Sequence, residues 1–205
     1  AFPALLDALV GRLNGAELPA GQASRHLAPD HGWAPEPVYL IQALAHARDA
    51  RLVPVLDRIA GRLALDAARC DHRFDYVHAI AYALERLADP AEAQVLRTLL
   101  ADPAIKDRTL PRGADPRLNT DERLERFAYL ELTRARALAR CGDPEGYRIL
   151  ARVTGDQRLF LARSARRELA ELAGLDHGFD PGAWLPWIAA QGPALPPKPL
   201  LVRFA

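Results

Sequence analysis

The stretch Ala83-Leu84-Glu85-Arg86-Leu87-Ala88-Asp89-Pro90 decides the fold, because similar stretches recur along the chain. Each copy ends an amphipathic, helix-forming run, and all but the last precede a second such run. Their central leucines lie 40, 54 and 31 residues apart, near the roughly 40-residue length of a two-helix repeat. The spacing therefore predicts an array of helical repeats. The four central leucines are Leu44, Leu84, Leu138 and Leu169.

The composition narrows the class of protein. The 205 residues are 50% hydrophobic and 26% charged, which fits a folded domain of about four to five stacked helical hairpins. No run reaches the roughly 18 apolar residues that a membrane-spanning helix needs. The 26 acidic residues nearly balance the 27 Lys and Arg residues, whereas domains built to bind nucleic acid usually carry a marked basic excess. We therefore expect a local patch to recognise any charged partner.

Two features bear on the compartment. The start Ala1-Phe2-Pro3 is not a basic segment followed by an apolar stretch, so no signal peptide is visible, although a cleaved one would leave the same start. The sequence leaves the compartment open, with the cytoplasm preferred. It also leaves open whether the chain belongs to a longer protein. Cys70 and Cys141 are far apart in the sequence, and Cys141 falls at a core position. We expect buried free thiols rather than a disulfide.

The periodicity predicts an all-α protein. Apolar residues recur at three- and four-residue spacing nearly throughout, and β-branched residues are sparse. Asp-Pro pairs separate the runs, with Asp capping the next helix and Pro tolerated in its first turn. Four such pairs occur at 89–90, 102–103, 143–144 and 180–181. The predicted helices span 2–14, 19–28, 36–48, 50–64, 73–88, 90–101, 121–140, 144–153, 157–173 and 180–190.

Aligning the copies on their leucines separates two faces of the repeated helices. The positions four before, one before and three after each leucine are mostly apolar and form the predicted core. The positions six before, two before and two after form another stripe, because residues about four apart share a helix face. This second stripe is polar and largely basic. It reads Val38, Gln42, His46, His78, Tyr82, Arg86, Leu132, Arg136, Arg140, Arg163, Arg167 and Glu171.

Two segments interrupt the repeats, and together they give the predicted organisation of one helical-repeat domain over 1–205. The insertion 102–121 contains Lys106, Arg108, Arg112 and Arg117, and inserted loops often lie on the binding face. Near the other end, Trp184 and Trp187 are predicted to cover the last repeat. The domain would comprise an N-terminal helical cap (1–35), the repeats (36–173) and a C-terminal cap with a proline-rich tail (174–205).

The repeated unit resembles the HEAT repeats of bacterial proteins. The resemblance is carried by Leu87-Ala88-Asp89-Pro90 followed by Leu96, and by Cys141-Gly142-Asp143-Pro144 followed by Leu150. It covers roughly residues 36–190 and implies a right-handed α-α superhelix. HEAT-like arrays are usually scaffolds or interaction surfaces, and some are appendages of larger bacterial enzymes, including flavin-dependent oxidoreductases. Because the chain has no dinucleotide-binding glycine fingerprint, any flavin chemistry would lie outside it.

A search for chemistry gives no catalytic residue and no cofactor. The sequence lacks a Gly-x-Ser-x-Gly turn, a phosphate loop, a His-Glu-x-x-His motif and a Cys-x-x-Cys pair. Cys70, His72 and His78 carry metal-ligand chemistry, but helical geometry would not bring them together around an ion. We expect Asp71 or Asp75 to cap the following helix instead. The chain is therefore predicted to hold no metal, and an enzymatic role stays open but disfavoured.

Two classes of function remain. The first is a binding module whose arginines bind an acidic peptide or protein surface. The simpler alternative is that these arginines form a solvated face that binds no ligand. The arginines are expected to be exposed and to contribute little to folding. The second is a helical-repeat enzyme or enzyme subunit of the base-excision type, against which the near-neutral charge counts. The candidate binding residues are His78, Tyr82, Arg86, Arg136, Arg140, Arg163 and Arg167, with Arg108 and Arg112 from the insertion.

Overall fold

A computed structural model describes residues 2–16, 34–65, 72–103, 105–115, 117–118, 122–192 and 194–201. Within these ranges the chain is all-helical and contains no β-strand, which confirms the predicted fold class. None of the described helices is long and apolar enough to cross a membrane. The α-helices are α1 (Phe2–Gly15), α2 (Glu36–Ala47), α3 (Val53–Leu65), α4 (Arg73–Leu87), α5 (Ala93–Leu100), α6 (Glu122–Arg140), α7 (Pro144–Thr154), α8 (Leu159–Ala173) and α9 (Pro181–Ala190).

The helix boundaries follow the Asp-Pro signals. Asp89, Asp143 and Asp180 each accept a hydrogen bond from the backbone N–H two residues further on, which caps the following helical turn. The pair at 102–103 is different, since no helix starts there and Asp102 forms an ion pair with Arg73. The predicted helix over 19–28 lies outside the described residues.

The helices that end in the repeated phrase are neighbours. Helix α2 contacts α4, α4 contacts α6, and α6 contacts α8. A second set packs behind them, with α3 against α5 and α7 against both α6 and α9. All four central leucines are fully buried. Most of the core positions predicted around them are buried as well, but Ala43 is exposed and Ala47 and Leu87 are only partly buried. The basic stripe thus runs along helices that lie next to one another.

The C-terminal region covers the end of this core. Trp184 is fully buried, and its indole N–H donates to the Gly178 carbonyl at 3.0 Å. Trp187 is partly buried and packs against Tyr147, with ring centroids 5.9 Å apart. The predicted capping role of the tryptophans fits this packing. Cys141 is buried and free, as expected, while Cys70 lies outside the described residues.

After α9 the chain turns back as an extended segment, residues 194–201, which we call the strap. It runs across the C-terminal ends of α4, α6 and α8, bonded by its backbone to carbonyl groups of α4 and α6. The sequence of this segment indicates only a proline-rich tail. Its contacts place it beside the arginines predicted to bind a partner.

Candidate functional site: two groups of arginines

Part of the predicted stripe forms a buried ion-pair cluster. Arg136 Nη2 lies 2.6 Å from Glu85 Oε1, and Arg140 Nε lies 2.6 Å from Glu168 Oε1. Arg140 Nη2 also donates to Glu171 Oε1 at 2.9 Å. The exposed fraction is only 1% for Arg140, 4% for Glu85 and 5% for Glu168. We call Glu85, Arg136, Arg140 and Glu168 the arginine–glutamate cluster.

The charges in this cluster depend on one another. Burial raises the pKa of Glu85 above its ordinary value, and the Glu168 carboxylate adds to the rise, while Arg136 and Arg140 oppose it. Burial would lower the pKa of Arg140, but the charges of Glu168 and Glu171 outweigh it and the pKa is raised. Each arginine therefore compensates a buried carboxylate. The cluster joins side chains of α4, α6 and α8 and has little charge left for a ligand.

The expectation that the stripe is exposed is therefore wrong at Arg86, Arg136 and Arg140. Arg86 is 6% exposed, and its guanidinium lies 4.5 Å from the centre of the Tyr82 ring. Tyr82 in turn shares a 2.9 Å hydrogen bond with Nε2 of His46. Tyr82 and Arg86 share a face of α4, as the alignment predicts. The alignment gives no sign that neighbouring helices bring carboxylates to the stripe.

Four side chains of α4 and α6 form a ladder at the other end of this face. The rings of Phe74 and His78 stack at 6.4 Å, those of His78 and Tyr129 at 5.9 Å, and the Arg126 guanidinium lies 4.6 Å from the Phe74 ring centre. Burial lowers the pKa of His78, with Arg136 acting in the same direction and Asp75 opposing. Because His78 already packs against two aromatic rings, it is a poor stacking platform for a nucleobase.

The metal candidates do not converge. His72 Nδ1 lies 3.0 Å from Asp75 Oδ2, and His78 belongs to the ladder. Among the described residues, no group of three His, Cys, Asp or Glu side chains is placed to hold a metal ion. The expectation that Asp75 caps α4 is wrong, because the N-cap is His72 and Asp75 lies in the first turn, paired with that histidine. Cys70 and Asp71 lie outside the described residues.

The described part of the insertion is held against the helices by hydrogen bonds to carboxylates. The buried Glu131 carboxylate of α6 accepts the N–H groups of Asp107 and Arg108, both at 2.8 Å. Asp156 accepts the N–H of Leu110 at 2.9 Å. Arg108 itself donates to the Pro103 carbonyl, so it is a structural residue here. Of the two candidates on the insertion, only Arg112 is exposed.

The remaining two arginines line a surface pocket on α8. Arg163 and Arg167 are exposed, and within the described parts of the chain neither has an ion-pair partner. The pocket has a volume of about 290 Å³ and is completed by Arg166, Ala170, Asp176 and Phe179. We call it the α8 pocket. Two guanidinium groups four residues apart leave it with uncompensated positive charge.

The wall of the α8 pocket is ordered by its third arginine. Arg166 donates to both carboxylate oxygens of Asp176, at 3.0 and 2.6 Å, and lies 4.6 Å from the centre of the Phe179 ring. The hydrogen bonds from Arg166 and from the Gly178 N–H lower the pKa of Asp176 to about 2. Sequence reasoning missed these wall residues. Arg166 adjoins a predicted stripe position, but nothing in the sequence links Asp176 or Phe179 to it.

The predicted single stripe is thus two sites with different chemistry. The arginine–glutamate cluster is neutralised within the protein, and the α8 pocket is open and positively charged. Comparison of the chain with protein-family models, with curated proteins and with solved structures gave no significant match.

Proposed function

We propose that the chain is a HEAT-like interaction module, a right-handed superhelix of α-α hairpins, that binds an acidic segment of a partner protein at the α8 pocket. The recurring phrase and the contacts from α2 through α8 support the repeat architecture. A place as an appendage of a larger bacterial enzyme is part of the same proposal. Nucleic acid is disfavoured, because the chain carries a formal net charge of only +1.

The proposal rests on the difference between arginines that have carboxylate partners within the protein and arginines that do not. Arg163 and Arg167 keep their guanidinium groups in solvent, whereas Arg136 and Arg140 are satisfied by internal carboxylates. Guanidinium groups bind carboxylates through paired, charge-assisted hydrogen bonds. Because Arg166 is already fixed by Asp176, the pocket has a rigid wall against which an acidic segment can lie. An acidic partner therefore meets the two arginines without breaking an internal ion pair.

The test uses a short fluorescein-labelled polyglutamate peptide as the probe. Its binding is followed by fluorescence anisotropy with the parent chain and with the Arg163→Ala/Arg167→Ala variant. Loss of two charge-assisted contacts should weaken binding at least about tenfold. Added salt should weaken the parent's binding, as expected for a surface charge interaction.

A matched control separates the pocket from net charge. The Arg62→Ala/Lys106→Ala variant removes two exposed cations elsewhere and gives the same change in charge. It should bind the peptide like the parent. Equal losses in both variants would show attraction to overall charge, and an unchanged Arg163→Ala/Arg167→Ala variant would remove the α8 pocket from the proposal.

A further inference from the structure

The strap is an extended segment that is bound by the rest of its own chain, so its contacts show how this protein can bind an extended peptide. Leu195 N–H donates to the Gly142 carbonyl at 2.9 Å, Lys198 N–H to the Arg140 carbonyl at 2.8 Å, and Leu200 N–H to the Glu85 carbonyl at 2.9 Å. The other three residues between 195 and 200 are prolines, which have no N–H. Every backbone donor of this stretch is therefore used.

The groove beneath the strap is built from helix C-terminal ends. The last carbonyl groups of a helix lack partners within the helix and carry partial negative charge. Glu85 lies in the last turn of α4, Arg140 ends α6, and the Lys198 ammonium donates to the Leu172 carbonyl in the last turn of α8. A peptide with N–H groups at matching intervals satisfies the carbonyls of Glu85 and Arg140, whereas the Leu172 carbonyl is satisfied by the lysine side chain.

The protein also donates hydrogen bonds to the strap. Arg140 Nη1 donates to the Lys198 carbonyl at 3.1 Å, and Arg48 Nη2 donates to the Leu200 carbonyl at 3.3 Å. Gly142 has a φ of 84°, and a Cβ at this position would overlap the Leu195 carbonyl oxygen. The groove therefore accepts the peptide backbone at close range where only glycine fits.

Apart from the hydrogen bond of the Lys198 ammonium to the Leu172 carbonyl, side chains contribute little to holding the strap. Leu195 is its one buried side chain among residues 194–201, and Lys198 is exposed. Segments with few buried apolar contacts open at low free-energy cost. The prolines limit the conformations of the free segment, so less entropy is lost when such a peptide binds. These are the properties of a displaceable ligand.

We propose that the strap groove is a peptide-binding site that accepts an extended, proline-punctuated segment of a partner protein, with the strap as its intramolecular competitor. The segment would share the strap pattern, with leucine first, lysine fourth and prolines at the positions that donate no hydrogen bond. This site is separate from the α8 pocket and does not depend on the function proposed for it.

A second copy of this chain is a poorer occupant. If two copies exchanged straps, each groove would make the same contacts as before. The pair would, however, lose translational and rotational entropy on association. The tethered strap also has a high effective concentration, which favours its own groove. A partner segment that extends beyond the strap contacts has no such symmetry and can gain further interactions.

The experiment uses a labelled peptide with the sequence of residues 194–201, capped at both ends, and the full-length chain. In the parent, the labelled peptide can bind only to grooves that the strap leaves empty, so its apparent affinity falls in proportion to that empty fraction. Leu195→Asp weakens the strap by placing a charge at its buried position, so the labelled peptide should bind this variant at least about tenfold more tightly than the parent. Absence of binding to both proteins would overturn the proposal.

Two glycine substitutions supply the matched controls in the Leu195→Asp background. Gly142→Ala places a methyl group against the bound backbone and should abolish peptide binding. Gly174→Ala puts alanine at a similar positive φ, 73°, but its Cβ meets nothing within 4 Å. Binding should survive at Gly174→Ala; equal losses would show backbone strain rather than a groove.

Two further measurements keep the result interpretable. Far-UV circular dichroism checks that each variant keeps its helicity, and Leu195→Ala replaces Leu195→Asp if the charge unfolds the chain. Size-exclusion chromatography of the parent over a range of concentrations should show one unchanging species. A dimer that grows with concentration and dissolves in Leu195→Asp would assign the groove to a second copy and overturn the partner proposal.

Discussion

Arg136 and Arg167 occupy the same position in successive repeats, two residues before the central leucine, yet they have opposite environments. Arg136 pairs with Glu85 at 2.6 Å and lies 3.4 Å from Glu168, while Arg167 is exposed in the α8 pocket. Helix α6 packs between α4 and α8, and each of these helices supplies a glutamate. Helix α8 contacts α6 and α7 but has no such neighbour beyond it among the described helices. The role of a repeat position therefore depends on the helices at its sides.

The strongest way to break this comparison is to remove Arg140. Arg140→Leu would remove the nearer partner of the buried Glu168 carboxylate and leave Arg136 as the single cation for Glu85 and Glu168 in the cluster, and breaking a buried ion pair costs about 3–5 kcal/mol. The free energy of unfolding, measured by urea denaturation, should fall by this amount. Arg163→Leu, measured alongside, should stay close to the parent. A stability of Arg140→Leu equal to that of the parent would show that the cluster does not hold the helices together.

Substitution of Arg136 and of Arg167, which occupy equivalent repeat positions, should give a smaller difference in the free energy of unfolding but a more direct comparison. Arg136→Leu loses a hydrogen bond to a buried carboxylate and should lower the free energy of unfolding by about 1–3 kcal/mol. Arg167→Leu changes an exposed side chain and should stay within about 0.5 kcal/mol of the parent. Urea denaturation of both variants under one set of conditions measures the difference. Equal effects would mean that repeat position, rather than the neighbouring helices, decides the role of the arginine.

The pH dependence of Glu85 sharpens the account of the cluster. Its pKa is raised in the folded protein, so the folded state holds this proton more tightly than the unfolded state does. The stability due to protonated Glu85 is present below its unfolded pKa and is lost as the pH rises through the folded pKa. Glu85→Gln cannot ionise. Its melting temperature should therefore rise relative to the parent as the pH increases from acid to neutral; a constant difference would contradict a raised pKa.

Asp176 should show the smallest effect, in the opposite direction. Its pKa is lowered to about 2, so the ion pair with Arg166 stabilises the pocket wall above the unfolded pKa of aspartate and is lost only as the pH falls through about 2. NMR titration of the Asp176 carboxyl carbon should give a midpoint well below that of an ordinary aspartate. In Arg166→Ala the midpoint should return toward the ordinary value, and an unchanged midpoint would show that Arg166 does not order the wall.

The fold could be predicted because its signals are local. The periodic leucines and the Asp-Pro pairs mark where most of the described helices begin and end, and Leu84 and Leu138 are buried as their repeat positions require. The environment of the stripe could not be predicted in this way, since it depends on side chains from three helices. One signal was present: Glu168 occupies the position directly before its leucine, which the other copies fill with apolar residues. A carboxylate in a core position indicates a buried cation nearby.

The strap was missed for a different reason. Its hydrogen bonds join backbone groups of residues far apart in the sequence, and no side-chain pattern marks the carbonyls that accept them. The one signal in the sequence was that prolines, which have no N–H, alternate with residues whose backbone N–H groups can donate hydrogen bonds. The contacts that hold the insertion are equally hard to predict from the sequence, because the carboxylates of Glu131 and Asp156 lie on other segments.

The strap also constrains the order in which the protein folds. The helical hairpins bring together residues close in the sequence, whereas the hydrogen bond from Arg48 to the Leu200 carbonyl spans 152 residues. Contacts that close long loops form late, after local structure has reduced the entropy that they cost. During synthesis, α4, α6 and α8 leave the ribosome before the strap exists, with their final carbonyls bonded to water. Docking of the strap is then the closing step of folding and the first to be undone when the C-terminal end is pulled.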